Sequence, residues 1–134
     1  MCIRDSWGTA VDGGALARAL GRPAPRDPVA FTRRTVAAAV RDPAAREAVG
    51  RAVDALGRGV AGLVNALDPD AVTIGGSGVD LMQADPERLT RAYEAGLMRA
   101  RRADRPPLVA ARLGEDGPLV GAAEQAWQAV WAHL

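Results

Sequence analysis

The sequence predicts an α/β fold with few parallel strands and several helices, and three observations lead there. Val49, Val53, Leu56, Val60, Leu63 and Leu67 recur at steps of four, three, four, three and four, the signature of one long helix. Ala71-Val72-Thr73-Ile74 is a short run without apolar/polar alternation that ends in Gly75-Gly76-Ser77-Gly78, as a strand does when both its faces are covered in a parallel sheet. A helical segment, a second strand-like run and a last helical segment come after it. Strand, helix, strand in that order implies two parallel strands joined by a right-handed crossover.

Composition narrows the function classes. With 134 residues, 49% hydrophobic content and 25% charge, the chain has room for one domain with a sizeable core. No run approaches the roughly 20 apolar residues of a membrane-spanning helix, and the N-terminus lacks the basic-then-apolar pattern of a secretory signal. No membrane partner is expected, and the cytoplasm is the expected location. A net charge of +1 and only one Phe, one Tyr and three Trp leave little basic or aromatic surface for nucleic acid. Every basic group is Arg, none Lys, beside abundant Ala, Gly and Pro, which reads as GC-rich coding bias. Cys2 is the single cysteine and His133 the single histidine, so neither a disulfide nor a Cys/His zinc cluster can form within the chain. A Cys-His catalytic pair finds little support, with Cys2 in a tail and His133 next to last.

In chain order, Met1-Cys2-Ile3-Arg4-Asp5 has no periodicity, cap or turn that leads into the residues after it. It resembles the translation of a transposase sequencing adapter, so residues 1–6 are expected to be a non-native leader and 7–134 the native part; a genuine unstructured start is the alternative. Thr9 and Asp12 have capping-box spacing for a first helix that carries Leu16 and Leu20 and stops at Gly21. Pro23 and Pro25 stiffen a loop. Asp27-Pro28 opens a second helix, with Asp27 as cap and Pro28 in the first turn, and Val29, Val36 and Val40 share one of its faces. Asp42-Pro43 starts the long helix in the same way. Gly50, Gly57, Gly59 and Gly62 within it each cost about 1 kcal/mol relative to Ala, which is tolerable where they let neighbours approach, so packing on more than one side is expected. Asp68-Pro69 ends the helix, because a residue before proline is pushed out of the helical region.

After the first strand, Asp85-Pro86 starts a helix expected to run to about Arg102, with Leu89, Tyr93, Leu97 and Ala100 along one side. Pro106-Pro107 precedes the second strand, Leu108 to Ala111 or Arg112. Pro118 enters the last helix, with Val120, Trp127, Val130, Trp131 and Leu134 expected to form its buried face. Parallel sheets have more than two strands and cover on both faces, so a pair with five helices implies further strands upstream. The side of the sheet and of the long helix that would meet them is expected to expose an apolar patch.

Chemistry is sparse. Gly75, Gly76, Ser77 and Gly78 lie at the carboxyl end of a parallel strand, where open α/β sheets bind ligands and where glycine lets a ligand approach the main chain. A purely structural turn explains the loop equally well. It is no P-loop, lacking Gly-Lys-Ser/Thr, and no dinucleotide fingerprint, since Leu81 stands at the third-glycine position. Arg99, Arg101, Arg102 and Arg105 look like a phosphate patch but suit a solvated helix end better. Trp127 and Trp131, one turn apart, suit a core or interface better than a cofactor box. Asp12, Asp54, Asp80 and Asp116 are scattered, without the spacing of an acid–base pair. No catalytic or metal-binding residue is assigned.

Two blocks carry a family resemblance. Leu56 to Gly76, reading Leu-Gly-Arg-Gly-Val-Ala-Gly-Leu-Val-Asn-Ala-Leu-Asp-Pro-Asp-Ala-Val-Thr-Ile-Gly-Gly, and Leu113 to Ala123, reading Leu-Gly-Glu-Asp-Gly-Pro-Leu-Val-Gly-Ala-Ala, resemble the C-terminal half of the ROK family of repressors, open reading frames and sugar kinases. The resemblance implies a partial actin-like, ribonuclease-H-like ATPase fold, this chain supplying most of the C-terminal lobe. In the family's kinases the loop matching Gly75 and Gly76 lies beside the adenosine of ATP. The phosphate loop, the catalytic aspartate and the structural zinc motif lie upstream, so ATP with Mg and structural Zn belong to the full-length protein and no cofactor is expected in this segment. By position Ser6 falls on the last zinc cysteine, Trp7 on an apolar residue, and Gly8 on a glutamate that helps hold the sugar. Gly8 has no side chain for that task. This departure favours the regulator branch: an effector-sensing and dimerising half that binds a sugar or sugar phosphate, reaches DNA only through an N-terminal domain and forms a homodimer. The alternative is the adenosine-side lobe of a glucokinase-like sugar kinase.

Overall fold

The computed structural model describes residues 7–131; the expected leader 1–6 and Leu134 lie outside them. The elements are helices α1 (Gly8–Val11), α2 (Gly13–Ala19), α3 (Pro28–Ala38) and α4 (Pro43–Leu67), strand β1 (Val72–Ile74), helices α5 (Ser77–Ala84), α6 (Pro86–Gly96) and α7 (Arg99–Arg102), strand β2 (Leu108–Ala110), and helix α8 (Gly117–Trp131). A 3₁₀ turn, Gly114–Asp116, leads into α8.

α4 is the axis of the fold, about 37 Å long at roughly 1.5 Å per residue. Asp42 caps it, its Oδ1 accepting from the Ala44 amide at 2.9 Å, and Pro43 stands in its first turn. It ends before Pro69 as expected, though not in the extended region that a residue before proline favours: Asp68 takes a left-handed conformation, φ 49° and ψ 48°, which aspartate visits more readily than most residues. Val49, Val53, Leu56 and Val60 are buried as the stripe predicts, but Leu63 and Leu67 are exposed, and Ala61 and Val64 take their place in the core. α6 lies against this face with Leu89, Tyr93 and Leu97 buried. Contact is close at Gly57, where an added Cβ would stand 2.9 Å from both the Leu89 carbonyl oxygen and the Tyr93 amide nitrogen, so the two helices approach backbone to backbone. Gly50 and Gly59 face side chains, Arg88 and Trp7, while Gly62 faces open space.

The Tyr93 hydroxyl is buried and donates to the Pro106 carbonyl at 3.0 Å, tying α6 to the entry of β2. Burial pushes its pKa up against the pull of Arg101 and Arg105, so it stays a donor. Asp54 of α4 and Arg88 of α6 form a two-pronged ion pair, with Nε to Oδ1 at 2.8 Å and Nη2 to Oδ2 at 2.7 Å.

Four boundaries differ from expectation. The first helix breaks at Asp12, whose Oδ1 accepts from the Ala15 amide at 2.7 Å and caps α2. That helix closes at Gly21, φ 64°, with the Arg22 amide bonded to the Ala17 carbonyl at 2.8 Å and the Gly21 amide to that of Arg18 at 3.1 Å, a Schellman motif. Along α3, Val36 is half-buried but Val40 lies past the helix end, 75% exposed. The buried face of α3 includes Thr32 and Thr35, whose hydroxyls donate to the Pro28 and Phe31 carbonyls at 2.9 Å and so need no outside partner.

The helix expected over 86–102 breaks after Gly96. Asn65 of α4 donates to the Gly96 carbonyl and accepts from the Met98 amide, both at 2.9 Å, supplying from the side the bonds that continued helix would have made. The fourth difference is α5, which occupies the stretch after the glycine loop where no helix is expected.

β1 and β2 pair in parallel, Val72 with Leu108, Thr73 with Val109, Ile74 with Ala110. In-register neighbours share a face. Ile74 is in the core and Val72 and Leu108 pack against it, whereas Thr73 and Val109 are exposed. The sheet therefore has one covered face, not the two expected. The apolar patch expected on sheet and long helix is represented by Val109, Leu63 and Leu67, but the broadest apolar exposure lies elsewhere: on α8, Leu119, Trp127, Val130 and Trp131 are 73%, 62%, 47% and 65% exposed. The predicted buried face of the last helix is thus open, because α8 packs chiefly on the 3₁₀ turn from which it grows. No helix among the described residues is long and apolar enough to cross a membrane.

Candidate functional site

The glycine loop sits where the two strands end side by side. The Ala111 amide donates to the Ile74 carbonyl at 2.7 Å, and beyond that bond the chain passes through Gly75 and Gly76 into α5. The three glycines have different reasons to be there. Gly76, the residue before the helix, has φ 56° and ψ −142°, a conformation that L residues avoid. Gly78 lies in the first turn of α5, and a Cβ there would meet Ile74 Cγ2 at 2.8 Å. Those two are demanded by the turn itself. Gly75 is not: a Cβ on it would touch only Ala111 Cβ, at an ordinary 3.6 Å. Its lack of a side chain keeps open the space between the loop and the end of β2, which is what close approach by a ligand requires.

No side chain caps α5; instead the Gly78 and Val79 amides of its first turn donate to the Gly75 and Gly76 carbonyls at 3.2 and 3.1 Å, so the glycine loop itself satisfies part of the helix start. Asp80 stands in that first turn and faces Arg33 of α3, Oδ1 to Nε at 3.6 Å; its Oδ2 is buried without a hydrogen-bond partner among the described residues. A carboxylate in the first turn offsets the positive end of the helix dipole. The site therefore suits a neutral or hydroxyl-bearing group better than a phosphate. Across from it, the segment after β2 turns through Gly114, φ 52°, and the 3₁₀ turn, where the Asp116 amide donates to the Leu113 carbonyl at 3.0 Å.

The other candidates resolve into structural roles. Arg101 pairs with Asp68 and donates to the Pro69 carbonyl at 3.3 Å, Arg102 Nε donates to the Leu97 carbonyl at 3.1 Å, and Arg105 pairs with Glu94 at 3.0 Å. Three of the four arginines thus bind their own chain. Asp12 is a cap and Asp54 an ion-pair partner, so the scattered aspartates do not come together. Trp127 and Trp131 meet edge to face, ring centres 6.3 Å apart, at the surface. Trp7 lies over Gly59, its indole Nε1 donating to the Ala55 carbonyl at 2.7 Å, so the start of α1 is fastened to α4. Among the described residues no three His, Cys, Asp or Glu side chains gather as a metal site would need.

Sequence reasoning missed α5, and with it the helix start beside the loop. The available signal was Val79, Leu81 and Met82 closed by Asp85-Pro86, but two turns are too few for a clear period.

A model of the ROK family matches residues 4–129. The chain belongs to the ROK family. Among solved structures it is similar to a ROK hexokinase from Thermus thermophilus, with 32% sequence identity and a TM-score of 0.60. That match covers 92% of this chain and 41% of the hexokinase, so the chain spans about two-fifths of the length of that relative. No curated protein matches it. The fold is accordingly part of the actin-like ROK fold, and both family blocks fall on the glycine loop and its surroundings: the first runs from the second half of α4 through β1 to Gly76, the second from Leu113 into α8.

Proposed function

We propose that this chain is the C-terminal, effector-sensing and dimerising part of a cytoplasmic ROK regulator of sugar metabolism, and that it carries no catalytic group of its own. The observation that carries the reading is Gly8, at the position where the family's sugar-holding glutamate stands: a polar sugar site that loses one side-chain partner loses much of its grip and discrimination. The space beside Gly75 at the end of the two strands fits the adenosine side of a nucleotide site, retained or vestigial. A second reading, the adenosine-side lobe of a hexose kinase, is favoured by the likeness to the Thermus hexokinase at 32% identity.

The test is to recover the coding sequence upstream of Trp7, express the whole protein, and assay it with a panel of hexoses for ATP consumption and for retention on its own promoter DNA. Sugar-dependent DNA retention without ATP turnover is the expected result. Hexose phosphorylation at the expense of ATP would overturn the regulator reading and select the kinase.

A further inference from the structure

Charge is spread unevenly along the chain. Residues 18–46, from the end of α2 to the first turn of α4, hold seven arginines and two acidic residues, while the rest of the chain holds ten arginines against fourteen acids. The two acids, Asp27 and Asp42, are each spent on a helix start, accepting from the Ala30 and Ala44 amides at 2.9 Å. Arg22, Arg26, Arg34 and Arg41 are exposed, and their guanidiniums make no ion pair or hydrogen bond among the described residues. Further along, Arg51, Arg88, Arg91, Arg101 and Arg105 all pair with acids. Arg22 and Arg34 border a cavity of about 250 Å³ whose apolar lining is Leu20, Phe31, Ala38 and Ala45. Thr35, beside them, spends its hydroxyl on the Phe31 carbonyl.

We infer that this surface of α2, α3 and the start of α4 docks an acidic protein segment, which seats one bulky apolar side chain in the cavity and sets carboxylates against the arginines around it. A surface of one sign repels itself in the folded state, and an opposing surface relieves that repulsion while it fixes orientation and speeds encounter. The cavity decides the class of partner. It is smaller than the roughly 300–1,000 Å³ of a small-molecule site but has room for one large side chain, which is how a protein partner anchors itself within a ring of polar contacts. Nucleic acid would meet the arginines through its phosphates and leave the apolar lining wet, having no side chain to seat there. The inference is indifferent to whether the whole protein regulates or phosphorylates.

Fluorescence anisotropy with the 134-residue chain tests it. The probes are a labelled peptide with Glu-Glu-Leu-Glu-Glu at its centre, the same peptide with Ser in place of Leu, and a labelled DNA duplex of matched charge. The leucine peptide should bind on the order of tenfold more tightly than the serine peptide and more tightly than the duplex, and its binding should weaken as salt rises. The double substitution Arg22→Glu, Arg34→Glu abolishes binding of both peptides. Ala38→Trp, which fills the cavity from an exposed position, brings the leucine peptide down to the affinity of the serine peptide and leaves the latter unchanged. All three substituted residues are exposed, so the fold is kept, and an unchanged melting curve checks it. Four results overturn the inference: equal affinity for the two peptides, which makes the arginines a general attractor of anions and the cavity idle; tighter binding of the duplex, which assigns the surface to nucleic acid; no binding of either peptide; or a dimer mass that the double arginine substitution dissolves, which assigns the surface to a second copy. None of these readouts involves sugar or ATP, so they stand or fall apart from the proposed function.

Discussion

α4 and α8 begin alike and end differently. Both enter behind a proline in the first turn and carry a long apolar side, yet α4 buries Val49, Val53, Leu56 and Val60 while α8 leaves Leu119, Trp127 and Trp131 in water. The contrast lies in what the rest of the chain provides. α4 has α6 laid along it, with Gly57 permitting backbone contact and the Asp54–Arg88 pair bracing the crossing. Among the described residues α8 rests chiefly on the turn at its foot. A helix's pattern states how much of it wants burial; what buries it is a property of the surrounding body.

The contrast is sharpened most by Leu56→Ala. Leu56 is buried at the centre of the α4 core, so its truncation should cost about 2–5 kcal/mol, read as a lowered denaturant midpoint with unchanged slope. A loss below about 1 kcal/mol would mean that the α4–α6 body is loosely packed and that the two helices differ little.

A smaller effect is expected at the brace. The Arg88 hydrogen bond, aided by the guanidinium's charge, holds the Asp54 pKa below its ordinary value against the opposing effect of burial. A carboxylate with a depressed folded pKa stabilises the fold above the unfolded carboxylate range, near pH 4, and loses that contribution as pH falls through the folded pKa. Both partners are partly exposed, so Asp54→Asn should cost no more than about 1 kcal/mol at pH 7, and the gap to wild type should close as pH falls below the unfolded carboxylate range and through the lowered folded pKa. A gap that persists at low pH would show that packing, not charge, braces the crossing.

The smallest effect belongs to α8. Trp127→Ala in this chain should shift stability by less than about 0.5 kcal/mol, the range of surface substitutions, although it removes a larger side chain than Leu56→Ala does. A loss of about 2 kcal/mol or more would mean that α8 is packed in solution and would dissolve the comparison.

By itself the sequence determined the long helix, both strands and their partners, the caps at Asp27, Asp42 and Asp85, the place of the glycine loop and the family. These are local matters: a period along one segment, a side chain that reaches an amide two or three residues on, a proline that forbids the residue before it. Of the candidate site, its position was legible, but the division of labour among Gly75, Gly76 and Gly78 was not, because it depends on the backbone angle of Gly76 and on where Ile74 and Ala111 lie. Tertiary structure alone decided the rest. Asn65 breaks a helix from 31 and 33 residues away, Arg88 finds Asp54 across 34, and α8 stays open for want of a neighbour. Each is set by which elements come together in space, and sequence distance carries no record of that.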